Sequence, residues 1–516
     1  MNKLRKSLAL IATLAMASTA LFACGDSSST KPADSKADSK ADSKAADDSK
    51  AADDSKAADD SKAAEGPKVE FPDEAGSKLS VLSWTGDDLN AMIKNFSENT
   101  SYNADDIVWV QQGSKGQEAR EKYATYFAGG DDADLLFLEA DWILDYINND
   151  DYTAPLTKLG FTNDDFKGCY EYTVAIGTDK NGVLKGATWQ ATPGAYLYRT
   201  DLAEQYLGAK TQDEMQAKVK DWDTFIQSAE TVKQASNGKT AMIDTLAGLW
   251  QVYQYNRSSA WADKDDKLQI DDYCKTYAEL AKKCWDNGYV TKEEAWKDGW
   301  YAIGQDGSTM GYFFCTWCLG EDSMLSNAEG GIKKKDKLDA DGNPMKDADG
   351  NVLQEIDYDA DGKVQPKNPD LFGKYDIVNG PSGWAWGGTW FAVSPKCNNG
   401  TLAHDFVKYF TVDEASMEKY ALAKSEFVNN PKVMKKIVDD KSNKNPLLVS
   451  GDQFAILYDA ASKIDMTGKI TAFDSQIKDK FNGVVTKYVK GEIADYDAMI
   501  EQFKKDCGSI EGLVVE

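Results

Sequence analysis

Side chains that commonly carry catalysis are sparse in this chain of 516 residues. His404 is its single histidine, and Ser-His-Asp or Cys-His catalysis, like most catalytic zinc sites, needs a positioned imidazole. It lies in the amphipathic stretch 402–407, which favours a structural role. The segment 238–240 (Gly-Lys-Thr) resembles the end of a phosphate-binding loop, but Lys233 stands where that motif needs glycine. These patterns predict that the chain is not an enzyme and hydrolyses no ATP itself.

A Cys-Thr-Trp-Cys motif is the first of two patterns that could organise a small site. Cys315 and Cys318 have the spacing of a redox or zinc motif, but the sequence lacks a second cysteine pair of that spacing. Zinc is therefore not favoured, because a structural zinc site needs four ligands. We expect a local disulfide or two packed thiols.

The segment 333–370, rich in aspartate and glycine, is the second pattern. Asp357, Asp359 and Asp361 match the first half of a calcium-binding EF-hand loop, but its twelfth position is Asn368, where a glutamate is required. Asp-Gly pairs also favour hairpin turns. Decorated hairpins are the favoured prediction and a calcium site is the alternative; we expect no other metal and no cofactor.

The amino terminus has the pattern of an export signal. A short basic start, residues 1–6, precedes the uncharged apolar stretch 8–22, which is too short to span a bilayer comfortably. It ends at Leu-Phe-Ala-Cys24, which resembles the bacterial lipobox, and the resemblance implies cleavage before Cys24 and lipid on its thiol. We expect a signal peptide over 1–23 and a protein anchored in the cell envelope, facing the periplasm or the exterior. An ordinary secretory peptide is the alternative.

A low-complexity segment follows the anchor, and we assign residues 24–77 to a linker. Between residues 31 and 64 it repeats Ala-Asp-Ser-Lys and Ala-Ala-Asp-Asp-Ser-Lys without an aromatic or branched aliphatic residue. Such a sequence cannot bury enough apolar surface to offset its ordering entropy. It predicts a disordered tether that lifts a folded body off the membrane.

Composition narrows the partners of that folded body. The net charge of −26 argues against nucleic acid and against anionic membrane surfaces, which would repel it. The chain carries 14 tryptophans, and aromatic faces with a few polar groups commonly line small-molecule sites. A neutral sugar is therefore compatible with the composition.

Alternating strand and helix patterns open the folded body. Apolar runs at 79–84, 107–110 and 135–138 predict strands, with helical periodicity at 89–96 and 117–127 between them. This order predicts an α/β fold with a parallel sheet. Ligands of open α/β sheets lie beyond the carboxyl ends of the strands, so the residues that follow the first and third strands are candidate ligand contacts.

Several stretches, in their order along the chain, resemble landmarks of the extracellular solute-binding proteins of family 1, the group that includes maltose- and other oligosaccharide-binding proteins. They are the strand into Trp84, Ala154-Pro155-Leu156, the stretch 196–202, Asp221-Trp222-Asp223, and the stretch 386–394 with the helix after it.

The resemblance implies a type II periplasmic-binding-protein fold: two α/β lobes joined by crossing strands, with a ligand cleft between them. The implied division places 78–194 and 312–412 in lobe 1, with 333–370 as an insertion, and places 195–311 and 413–516 in lobe 2.

The resemblance also implies the function and the site. The chain would be the lipid-anchored substrate-binding subunit of an ABC importer, a monomer whose lobes close around a carbohydrate and deliver it to permease subunits. Tryptophan faces would stack on sugar rings, and carboxylates would accept hydrogen bonds from hydroxyl groups. The candidate ligand-binding residues are Trp84, Asp87, Asp141, Trp142, Trp189, Tyr196, Trp250, Tyr253, Trp317, Trp384, Trp386 and Trp390.

Two other functions stay open from the sequence. A surface glycan-binding lipoprotein would hold polymer without serving an importer. A lipid-anchored glycoside hydrolase would use two of the many carboxylates, whose separation the sequence does not give.

Overall fold

The structure is a computed structural model that describes residues 68–114, 116–339, 341–346, 350–441 and 443–516, with the backbone alone described at Gln117. The expected signal peptide, the lipidation site Cys24 and the linker as far as residue 67 lie outside the described residues. Among the helices that are described, none is long and apolar enough to span a membrane.

The described elements alternate in the way that the sequence patterns predict for an α/β protein. The strands are β1 (Leu79–Ser83), β2 (Ile107–Gln111), β3 (Leu135–Glu139), β4 (Gly186–Thr188), β5 (Gly194–Arg199), β6 (Gly311–Cys315), β7 (Lys334–Asp336), β8 (Gln354–Ile356), β9 (Tyr375–Val378) and β10 (Thr389–Val393). The α-helices are α1 (Gly86–Asn99), α2 (Gly116–Ala128), α3 (Leu144–Ile147), α4 (Glu171–Ile176), α5 (Thr200–Leu207), α6 (Gln212–Val219), α7 (Trp222–Ala235), α8 (Leu246–Gln254), α9 (Asp272–Asn287), α10 (Asp298–Asp306), α11 (Met324–Ala328), α12 (Gly400–Thr411), α13 (Glu414–Lys424), α14 (Pro431–Asp440), α15 (Phe454–Ala461), α16 (Asp474–Val489) and α17 (Tyr496–Cys507).

The first sheet forms the core of lobe 1 and has the strand order β2-β1-β3-β10-β4. β1 pairs in parallel with β2 and β3, whereas β10 runs antiparallel between β3 and β4. Residues 135–138 are all buried, which agrees with their uninterrupted apolar sequence, typical of a central parallel strand. The predicted α/β fold is confirmed, and the three predicted strands are parallel as expected, although β10 makes the whole sheet mixed.

The second sheet forms the core of lobe 2 and has the antiparallel order β6-β5-β9. This pairing corrects the expected division, which placed 312–412 in lobe 1. β6 and β9 both pair with β5, so the chain returns to the first sheet only between Val378 and Thr389. Every residue of β6 is buried, and an apolar strand of this kind can join either sheet, so its local sequence does not specify its partner.

The position at which the chain passes back to lobe 2 for the last time also differs from the expected boundary at residue 413. α13 packs on α12 of lobe 1, where the rings of Phe410 and Tyr420 meet with centroids 5.0 Å apart. α15 is the next helix to pack on β5 of the second sheet. The chain therefore leaves lobe 1 after α13.

Three segments of chain lie side by side between the two sheets. Segment 189–194 is paired on one side with 384–386 and on the other with 427–429. The amide of Gly194 donates a hydrogen bond of 2.8 Å to the carbonyl oxygen of Trp384. These paired segments are the connection between the lobes, as the two-lobed fold requires.

The insertion is built from hairpins. β7 and β8 pair antiparallel, and further bridges join Leu338 to Pro344 and Tyr358 to Val364. At the last turn, one carboxylate oxygen of Asp359 accepts hydrogen bonds from the amides of Asp361 and Lys363, both at 2.9 Å. The predicted hairpins are confirmed.

The calcium alternative involved the same turn. The Asp359 carboxylate, a calcium ligand in that alternative, closes the hairpin, and Asp357 and Asp361 belong to the same bridge-and-turn unit. Within the described residues, no group of three acidic, cysteine or histidine side chains is arranged to hold a metal ion.

Two single residues have clear structural roles. Asp221 caps α7 by accepting a hydrogen bond of 2.8 Å from the amide of Thr224, a common role of aspartate at a helix N-terminus. His404 lies in α12, where Nδ1 is 2.8 Å from the carbonyl oxygen of Leu159 and the ring stacks on Phe161. Its structural role is confirmed.

Candidate functional site between the lobes

The two lobes meet along α3 of lobe 1 and α16 of lobe 2. Arg120 of α2 donates a hydrogen bond of 2.7 Å to Asp145 within its own lobe and one of 3.2 Å to Asp479 across the cleft. A second ion pair joins Lys478 to Asp141, with Nζ and Oδ1 3.9 Å apart. The lobes are therefore in contact through charged side chains that come from both.

A cavity of about 20 Å³ lies beside the ion pair of Lys478 and Asp141. Lobe 1 lines it with Ala140, Asp141, Leu144 and Ile176, and lobe 2 lines it with Gln254, Tyr255, Met466, Ile470, Asp474, Ser475 and Lys478. This volume is close to that of a single water molecule. A sugar ring can enter only if the lobes separate, so binding here requires the cleft to open.

This cavity differs from an apolar packing void because it is lined by a buried polar atom that has no hydrogen-bond partner. Gln254 is 5% exposed, and its side-chain oxygen is without a hydrogen-bond partner. Tyr255 is also buried, and burial, with a smaller contribution from the charge of Asp141, raises the pKa of its hydroxyl well above the usual range. A buried polar group without a partner is costly, so the unpaired oxygen of Gln254 favours a ligand that can donate a hydrogen bond, as a hydroxyl does.

Glu139 connects the cavity to the aromatic side of the cleft. It ends β3, and one of its carboxylate oxygens accepts a hydrogen bond of 2.9 Å from the amide of Asp141. Burial, and after it the nearby negative charge of Asp141, raise the pKa of Glu139 well above its usual range. The two side chains present a carboxyl pair at the carboxyl end of a central strand, where α/β proteins bind ligands.

Three tryptophans from three parts of the chain form an aromatic platform at the same cleft; we define the platform as Trp296, Trp317 and Trp386. The rings of Trp296 and Trp317 are parallel within 11° with centroids 6.0 Å apart. Trp386 meets both edge to face, at 5.8 and 5.0 Å. The Trp317 indole N–H donates a hydrogen bond of 3.0 Å to the carbonyl oxygen of Trp386, which fixes their relative position.

Gly387 makes the close approach between this platform and the carboxyl pair possible. A Cβ atom at this position would lie 3.3 Å from Oε1 of Glu139 and 3.7 Å from Nε1 of Trp317. Its φ of 63° is also in the left-handed region that favours glycine. A Cβ atom at Gly116 would lie 3.6 Å from Cγ of Glu139 and 3.9 Å from the ring of Trp84, so Gly116 lets these two side chains come close as well.

The Cys-Thr-Trp-Cys motif contains Trp317 and so positions one member of the platform. Cys315 ends β6, Trp317 and Cys318 form the short 3₁₀ helix after it, and the two sulfur atoms are 3.7 Å apart. Both cysteines are buried. Of the two predicted arrangements, the structure shows packed thiols.

The structure brings four of the predicted site residues to this cleft: Trp84, Asp141, Trp317 and Trp386. Asp87 lies exposed in the first turn of α1. Trp386 is also part of the hydrophobic core, and the remaining seven lie in that core without reaching the platform; they are Trp142, Trp189, Tyr196, Trp250, Tyr253, Trp384 and Trp390.

Core packing accounts for the last group. Trp390 donates its indole N–H to the carbonyl oxygen of Thr173, and the Tyr196 hydroxyl donates to that of Met242, both inside a lobe. Tyr253 packs within 6.1 Å of Phe481 and stacks on Tyr273. Large aromatic side chains fill cores as readily as sites, so their type alone did not separate the two.

Among the cleft residues that were missed from the sequence as site residues are Glu139, Gln254, Tyr255, Trp296 and Lys478. Glu139 carried a signal, since it ends a predicted strand beside Asp141. The other four come from helix ends and a loop of lobe 2, where no local pattern marks them.

Comparison with known proteins agrees with this architecture. A model of the bacterial extracellular solute-binding proteins matches residues 91–449. The chain belongs to the bacterial extracellular solute-binding protein family. No curated protein matches it.

Solved structures share the fold of this solute-binding protein at low sequence identity. An extracellular solute-binding protein of family 1 is 17% identical with a TM-score of 0.63, over 83% of this chain and 99% of that one. A binding protein associated with an ABC transporter of B. animalis subsp. lactis Bl-04, solved with β-1,6-galactobiose, is 14% identical with a TM-score of 0.61, over 85% and 100%. The galacto-N-biose-/lacto-N-biose I-binding protein of the ABC transporter from Bifidobacterium longum, in complex with lacto-N-biose, is 14% identical with a TM-score of 0.59, over 86% and 100%. The two-lobed fold expected from the sequence is confirmed.

Proposed function

We propose that this solute-binding protein is the lipid-anchored binding subunit of an ABC importer and that it binds a sugar or oligosaccharide between its lobes. One observation carries the proposal. The cleft combines an aromatic platform with a carboxyl pair, which come together at Glu139, and with polar side chains from both lobes.

This combination suits a carbohydrate. The apolar face of a sugar ring stacks on tryptophan, while its hydroxyls need both donors and acceptors. Asp141 supplies acceptors and Lys478 supplies donors, and they come from opposite lobes. A ligand that contacts both lobes binds the closed form better than the open form, so it shifts the population towards closure.

The anchor and the partner complete the proposal. Cys24 lies in a lipobox-like motif at the end of an export signal, and the linker after it would let the folded body reach a permease while tethered. Two similar structures belong to ABC transporters and hold disaccharides, which supports the same role here. The closed, loaded form would be the form that the permease subunits bind.

A thermal-shift screen of the purified protein against mono-, di- and oligosaccharides tests the proposal, followed by calorimetric titration of each hit. At least one saccharide is expected to raise the melting temperature and to bind with one-to-one stoichiometry. Failure of every saccharide to bind at millimolar concentration would contradict it. Release of reducing sugar from a bound oligosaccharide would instead show a glycoside hydrolase.

A further inference from the structure

Trp296 has two unusual properties at once. Its side chain is 52% exposed, and its backbone is left-handed, with a φ of 69°. Bulky side chains rarely adopt this conformation because it is strained. The other described residues with positive φ that are not glycine are Asn237, Asp266, Ser425 and Lys441. Those four are polar or charged, so Trp296 is exceptional among them.

The indole of Trp296 is held in place rather than free in solvent. It packs on the buried ring of Trp300 at 5.5 Å, and Trp300 is fixed by donating its indole N–H to Asp244 at 2.7 Å. It also lies parallel to Trp317 and against the edge of Trp386. A strained backbone therefore presents an oriented aromatic ring with much of its surface open to solvent.

The three tryptophans of the platform differ in how exposed they are, and this difference indicates what the ring of Trp296 can contact. Trp386 is almost buried and Trp317 is half-buried, whereas Trp296 is the exposed member of the platform. The platform therefore leads from the closed interior of the cleft to solvent. The interior cavity of about 20 Å³ is too small for a sugar ring, whereas the exposed face of Trp296 is open to solvent.

We propose that Trp296 forms an outer sugar subsite, and that the ligand is an oligosaccharide whose chain extends from the cleft over this ring. This inference rests on the proposed function and adds the length of the ligand to it. A ring that stacks on Trp317 and Trp386 leaves the exposed face of Trp296 for a neighbouring ring of the same chain. A monosaccharide would reach only the inner part of the site.

The test is calorimetric titration of the wild-type protein and of the Trp296→Gly and Trp296→Ala variants. The probes are mono-, di- and tetrasaccharides of glucose, galactose and xylose. Trp285→Ala is the matched control, because Trp285 is a half-buried surface tryptophan of α9 that lies under Lys292 and outside the platform. Melting temperatures are measured for all variants, since glycine also relieves the left-handed backbone.

The expected result is that both Trp296 variants bind the tetrasaccharide at least ten-fold more weakly, while their affinity for the shortest ligand stays within two-fold. The melting temperature of Trp296→Gly should equal or exceed that of the wild type, and Trp285→Ala should bind every probe normally. Equal losses for short and long ligands, or no loss for any, would overturn the outer subsite and leave the proposed function standing. Binding of no saccharide by the wild type would overturn both.

Discussion

The indole N–H of Trp317 donates a hydrogen bond of 3.0 Å to the carbonyl oxygen of Trp386, and the two rings meet edge to face with centroids 5.0 Å apart. This contact joins the segment after β6 of lobe 2 to the segment that crosses back to lobe 1. It places the proposed sugar-binding surface at the connection between the lobes, so that ligand contact and lobe movement would involve the same residues.

Removing the Trp317 ring should weaken saccharide binding without unfolding the protein. Trp317→Ala is expected to lower affinity at least ten-fold, equivalent to about 1.4 kcal/mol, because the stacking face is lost. Trp317→Phe retains an aromatic face and loses the N–H donor, so its loss should be smaller. Calorimetric titration measures both, with circular dichroism as the folding control. Equal affinity of all three proteins would exclude Trp317 from the site.

The ion pairs across the cleft should stabilise closure before any ligand binds. Asp479→Asn removes the interlobe partner of Arg120, and partly exposed pairs contribute up to about 1 kcal/mol. The ratio of open to closed molecules should therefore rise by a few-fold, and added salt should produce a similar shift in the wild type. Energy transfer between dyes on the two lobes reports it.

Asp439→Asn is the control for this experiment, because Asp439 pairs with Lys435 within α14 and not across the cleft. It should leave the energy transfer unchanged. If Asp479→Asn also leaves it unchanged, the Arg120 contact does not stabilise the closed form.

Stability should fall as pH rises through the mildly acidic range, because of Asp244. This residue is fully buried, and burial raises the pKa of its carboxyl to about 6, against the hydrogen bonds from Trp300 and Thr245. The folded state therefore keeps a proton that the unfolded state releases near pH 4. The free energy of unfolding should decrease between about pH 4 and 6 by an amount on the order of 2 kcal/mol.

Urea unfolding at a series of pH values checks this prediction, with Asp244→Asn as the comparison. The variant cannot titrate at this position, so its stability should depend less on pH across that window. Parallel profiles for the two proteins would contradict the assignment.

The connection between the lobes should tolerate no side chain at Gly194. A Cβ atom there would lie 2.2 Å from ring atoms of Trp384, which is fully buried and cannot move away without disturbing the crossing segments. Gly194→Ala is expected to destabilise the protein by about 1–3 kcal/mol. Gly168→Ala, where the nearest atom is 3.8 Å away, should change stability by less than about 0.5 kcal/mol. Chemical denaturation compares the two, and equal effects would refute the steric argument.

The first sheet could be predicted from the sequence because its strands and helices alternate and each apolar run has a clear period. The second sheet could not, because its pairings join residues far apart in the chain. β6 pairs with β5 across more than a hundred residues of intervening helices, and its five buried residues would fit either lobe.

Prediction of the site from the sequence had a similar limit. The abundance of tryptophan is compatible with a sugar ligand, but a tryptophan in the core and one in the cleft have the same local pattern. Trp390 and Trp386, four residues apart, differ only in that one points into lobe 1 and the other joins the platform. Trp296 was missed because its charged neighbours suggest an ordinary solvated segment, and its left-handed backbone is visible only in three dimensions.

A crystal structure of the protein with a bound tetrasaccharide that it binds in solution tests the central claim most directly. We expect one sugar ring within van der Waals contact of Trp317 or Trp386, hydroxyl contacts to Asp141 and Lys478, and the chain passing over Trp296. A saccharide bound outside the cleft, or within it but away from all three tryptophans, would contradict the account.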